Sequence, residues 1–178
     1  EVAVARRVLD VLDDPRDEAR AAACRVFAFA PHALARELEP RLADILAGDR
    51  GVVVQAAAAD ALAARAEYAA GAIPALLRAF DDRPVPGPKR TESIFRALAH
   101  LAGRADEPQT RRMVELAVQK LSYAPEGALA LLKALGPVAA PAADAVLRYR
   151  ASADRLQRHY IDRHVLPSIR SPVPEQPA

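Results

Sequence analysis

Val8-Leu9-Asp10-Val11-Leu12-Asp13-Asp14, Leu42-Ala43-Asp44-Ile45-Leu46-Ala47-Gly48 and Leu76-Leu77-Arg78-Ala79-Phe80-Asp81-Asp82 are three versions of one helix end. Leu12, Leu46 and Phe80 fall 34 residues apart, and each follows apolar residues one and four positions earlier. That spacing places the apolar residues on one helical face. The segments upstream also repeat. Ala19-Arg20-Ala21-Ala22-Ala23-Cys24-Arg25-Val26 matches Val54-Gln55-Ala56-Ala57-Ala58-Ala59-Asp60-Ala61 at an offset of 35. Prolines recur as well: Pro40 before Arg41-Leu42, Pro74 before Ala75-Leu76, and Pro141 before Ala142-Ala143. Proline inside a helix costs about 3 kcal/mol, so a recurring one marks a first turn or a tolerated kink.

An offset of 34 to 35 residues is the length of one helical hairpin. The remaining composition agrees with an all-α chain. Of 178 residues, 52% are hydrophobic, Ala is abundant and only 4% are aromatic. Ala and Leu favour helix, whereas aromatic and β-branched residues favour sheet. Helices are expected at about 2–12, 15–29, 33–47, 51–66, 69–81, 90–104, 108–122, 125–135 and 139–150, with a closing helix near 152–169. Pro15, Pro108 and Pro125 are expected at first helical positions, with Asp14 and Asp106 capping free amides. Residues 83–88 read as the longest loop. Residues 171–178 read as a disordered Pro-rich tail with too little apolar surface to fold.

The repeated order is acidic turn, Arg or Gln, Ala-rich helix, short break, Pro-x-Leu-x-x-Leu/Ile-Leu, acidic turn. It resembles HEAT repeats of the short bacterial kind, also found in phycobilin lyases. The resemblance is good over about residues 4–82, weakens over 89–122, and returns over Leu135–Leu147. It implies a right-handed α-α superhelix over residues 1–170, with about four hairpins, a leading half-repeat and a closing helix. Residues 2–12 then form the second helix of a truncated repeat, so the chain is expected to be a segment of a longer array. Each hairpin would bury its apolar flanks only against neighbours of similar shape.

Candidate chemistry is sparse. His159 and His164 are the closest histidines, but a spacing of five turns them about 140° apart on an α-helix. Zinc needs more ligands than two. Cys24 sits among Ala21, Ala22, Ala23 and Val26 and reads as a small buried hydrophobe. As the single cysteine it cannot form an internal disulfide. The pairs Asp13-Asp14, Asp17-Glu18 and Asp81-Asp82 fall at helix ends, where carboxylates cap amides and complement the helix dipole. Gly71, Gly87, Gly103, Gly127 and Gly136 are scattered and form no phosphate-binding loop. No catalytic, cofactor or metal site is expected. No apolar run approaches the ~20 residues that span a bilayer, and no secretory signal is visible, so a cytoplasmic location is the default expectation.

Charge is uneven. Residues 1–82 hold 10 Arg against 14 Asp and Glu, net −4; residues 83–178 hold 15 Lys and Arg against 9 Asp and Glu, net +6. Within 148–170, Arg148, Arg150, Arg155, Arg158, Arg163 and Arg170 face only Asp154 and Asp162, with Tyr149 and Tyr160 among them. Arginine beside aromatic rings can hold phosphates and stack on bases. In HEAT arrays the second helices usually line the concave surface. By that resemblance Arg7, Arg41, Asp44, Arg78, Arg111, Arg112, Glu115, Gln119 and Arg148 would face a groove, with an Asp44–Arg78 bridge between repeats. The expected function is a non-catalytic scaffold binding another protein along that face. The alternative is nucleic-acid binding through the basic C-terminal half. HEAT-like folds include alkylpurine DNA glycosylases, but their Trp-lined base pocket has no counterpart in a chain without Trp.

Overall fold

The computed structural model describes residues 2–48, 51–67, 69–80 and 87–171, excepting the side chains of 2–6 and 32–34. It is all-helical, with no strand among the described residues. The α-helices are α1 (Val2–Leu12), α2 (Asp17–Val26), α3 (His32–Gly48), α4 (Val52–Ala64), α5 (Ile73–Arg78), α6 (Pro88–Leu101), α7 (Glu107–Lys120), α8 (Pro125–Leu135), α9 (Ala143–Ser152), α10 (Arg155–Tyr160) and α11 (Leu166–Arg170). Residues 83–86 of the expected 83–88 loop and 172–178 of the expected 171–178 tail lie outside the described residues, as do Asp81 and Asp82; Pro88 opens α6.

From α2 to α8, helices two apart in the chain lie against each other. α2 packs on α4, α4 on α6 and α6 on α8; α3 packs on α5 and α5 on α7. Consecutive helices also meet: α1 with α2, α3 with α4, α7 with α8. This explains the composition of α4. It is covered by α2, α3 and α6, so Val54, Ala56, Ala57, Ala58, Ala59, Ala61, Leu62 and Ala63 are all buried. A helix enclosed on several sides is apolar on several sides. Its Ala side chains let neighbouring backbones approach closely. Leu12, Leu46 and Phe80, the three repeated positions, are all buried, and the Phe80 ring lies 4.9 Å from that of Phe95 at a 35° tilt. Such aromatic pairs contribute roughly 0.5–1.5 kcal/mol beyond area burial.

Polar side chains close the helix ends against the next element. The Arg20 guanidinium donates to the Asp14 carbonyl at 2.7 Å, the Gln55 amide to the Leu46 carbonyl at 2.9 Å, and the Arg90 guanidinium to the Ala79 carbonyl at 2.6 Å. These three donors stand 35 residues apart, and Gln55 and Arg90 are buried. At helix starts the partner is a carboxylate. Glu39 of α3 accepts from the backbone N–H groups of Gly71 and Ala72, and Glu92 of α6 accepts from those of Glu126 and Gly127. The first four amides of a helix lack intrahelical partners, so these carboxylates satisfy orphan donors of an element further along the chain. Burial pushes both carboxyls above their ordinary value near 4.5, against the lowering effect of the amides. Protonation therefore favours the folded state at these two groups. Their contribution is complete below the ordinary value and is lost as pH rises through the raised folded one.

Several boundaries differ from expectation. Pro15 lies before α2, which starts at Asp17 with no side-chain cap. Asp14 is engaged instead by Arg16, whose backbone N–H and guanidinium both donate to it. Asp106 caps α7 in a reciprocal box with Gln109, as its spacing predicts. Pro40 stands inside α3, past its first turn, whereas Pro74 lies in the first turn of α5. The expected helix at 69–81 is a 3-10 turn, Ala70–Ala72, leading into the short α5. The one expected at 139–150 opens as a 3-10 segment, Gly136–Ala142, holding Pro137 and Pro141. A break at Ala153 ends α9, and the closing helix starts at Arg155 under an Asp154 cap, passes through a π-helical segment, Ile161–Val165, and runs to Arg170, close to the expected 152–169.

The expectation about apolar runs also needs correction. By length and composition alone, Pro125–Ser152, 28 residues, is apolar enough to cross a membrane. It reaches that length because the 3-10 segment joins α8 to α9. Gly136, with φ +59°, interrupts it, and Leu129, Leu131, Leu132, Leu135, Ala139 and Val146 are buried in the core.

Two glycine positions test this packing. At Gly127 an added Cβ would stand 2.8 Å from the Phe95 Cβ, so Gly127→Ala is expected to destabilise the chain by about 1–3 kcal/mol through overpacking. At Gly136 there is space, but the backbone conformation suits only glycine, so Gly136→Ala is expected to cost about 1–3 kcal/mol through strain alone. Urea unfolding of both variants measures these losses.

Candidate interaction surface

The nine residues expected to face a groove are spread over five helices: Arg7 on α1, Arg41 and Asp44 on α3, Arg78 on α5, Arg111, Arg112, Glu115 and Gln119 on α7, and Arg148 on α9. All are exposed except Arg112, which is half-buried. On α3, α5 and α7 these residues are flanked by buried apolar neighbours. Leu42 and Leu46 bury beside Arg41 and Asp44, Leu77 beside Arg78, and Met113 and Leu116 beside the α7 charges.

The structure joins only some of them. Arg41 reaches both carboxylate oxygens of Asp13, at 2.7 and 2.8 Å. With Asp14, Arg20 and Asp44 these two rim a mixed-charge cleft of about 420 Å³. Arg111 pairs with Glu107 at 3.0 Å and Arg112 with Glu115 at 3.3 Å, around a second cleft of about 390 Å³. Asp44 and Arg78 form no ion pair; the bridge between α3 and its neighbourhood runs from Arg41 to Asp13 instead. Arg7, Arg78 and Arg148 line neither cleft. Exposed pairs of this kind contribute about 0–1 kcal/mol each, so they leave the charges available for exchange with a partner.

The basic C-terminal end is partly self-neutralised. Arg150 grips Asp162 through two hydrogen bonds of 2.6 and 2.7 Å. Asp154 is committed to capping α10 through the Gln157 amide. The two tyrosines are occupied as well. The Tyr149 hydroxyl donates to Gln157 at 3.0 Å, and the Tyr160 ring lies 5.4 Å from the His164 ring with the Lys133 ammonium 5.8 Å from its centre. Burial raises both phenols above the ordinary value of 10.0. Arg148, Arg155, Arg158, Arg163 and Arg170 remain exposed.

His159 and His164 are both exposed, and the π-helical segment between them changes the angle that an α-helix would set. Among the described residues no group of three or more His, Cys, Asp or Glu side chains is placed to hold a metal ion. Cys24 is fully buried. The residues missed in the sequence are those that join elements: Glu39 and Glu92, which reach helix starts more than 30 positions away, and Leu156, an apolar side chain left 82% exposed among arginines.

The hydrogen bonds from Arg150 hold the Asp162 carboxyl below its ordinary value of 3.8. Because the folded value is depressed, this group stabilises the fold above the ordinary carboxylate range, and the contribution disappears as pH falls through the folded value. Arg150→Ala is expected to return the Asp162 carboxyl to the range of a free aspartate, measured by carboxyl-carbon NMR titration.

Comparison of the chain with protein-family models, with curated proteins and with solved structures finds no match.

Proposed function

We propose that the helices form a right-handed HEAT-like solenoid and that the chain is a non-catalytic scaffold, binding another protein along the second-helix face of α1, α3, α5, α7 and α9. The observation that carries this reading is the regular contact between helices two apart, locked by Arg20, Gln55 and Arg90 at intervals of 35 residues. Units joined in that way hold successive helices at a steady pitch, so exposed side chains on α3, α5 and α7 keep constant spacing. A rigid array of charges selects a partner by complementarity and costs little ordering on binding. The occupied tyrosines and the Arg150–Asp162 pair weigh against the nucleic-acid reading, because they withdraw the stacking rings and one of the arginines.

The surface is tested by joint reversal of Arg41 and Arg78. Arg41→Glu with Arg78→Glu is expected to fold as the parent does, since both side chains are exposed, and to lose a partner that the parent retains. Affinity capture with mass spectrometry identifies the partner, and titration calorimetry with the purified partner measures the loss. Equal affinity of parent and variant would discredit this face. A labelled DNA duplex bound with an affinity that falls steeply with salt would favour the nucleic-acid reading instead.

A further inference from the structure

We draw no further inference here: the strongest candidate, the exposed apolar stripe of Ala22, Val26 and Phe29 along α2 and the 3-10 turn that follows it, is an unpartnered helix face, and nothing in the structure shows what covers it.

Discussion

Close approach between helices that lie two apart in the chain is the constraint on which the rest of the structure depends. Between α2, α4 and α6 that approach is made by alanine. Ala side chains lose no rotamer freedom and permit short separations, but each removes little apolar area from water. The gain comes from enclosing α4 on several sides at once. Enclosure has a cost at the helix ends, where unpaired amides and carbonyls are drawn away from solvent. A buried group left without a partner costs about 1–3 kcal/mol. Gln55 and Arg90 answer that cost at the ends of α3 and α5, and Glu39 and Glu92 answer it at the starts of α5 and α8. The small side chains and the long polar ones are therefore two halves of one solution.

This division governs what the sequence reveals. The apolar half is periodic, so Leu12, Leu46 and Phe80 disclose the helical register, and all three are buried. The donor half is partly periodic. The recurrence of Arg20 and Gln55 is visible in the chain, but their acceptors are carbonyls, which carry no residue-specific signal. The acceptor half is invisible, because the role of Glu92 depends on which helix start arrives beside it. Local capping was legible where nothing competed, as at Asp106, and misread at Asp14, where Arg16 two residues on captures the carboxylate. The restart at α10 had a signal in Asp154 three residues before Gln157, whereas the π-helical segment that follows has none. Of the surface residues, exposure followed from the apolar pattern. Their pairing did not, since Arg41 turns to Asp13 and leaves Asp44 and Arg78 apart.

The carboxylates divide by what surrounds them. Asp14, held by the side chain of Arg16, has its carboxyl lowered to about 2, and Asp162 is depressed by Arg150; both lie at the surface. Glu39 and Glu92 are raised by burial between helices. Acidification therefore removes the surface contributions while it relieves the charge held inside the stack. The joints between helices are the part of the molecule that loses least as pH falls, and the surface ion pairs are the part that loses most.

The same contrast bears on the proposed binding face. On the second-helix side the charges are already paired, Arg41 with Asp13, Arg111 with Glu107 and Arg112 with Glu115. A partner there exchanges one exposed ion pair for another, which alters rate and register more than affinity. Engagement of this face should accordingly weaken as salt screens the exposed charges.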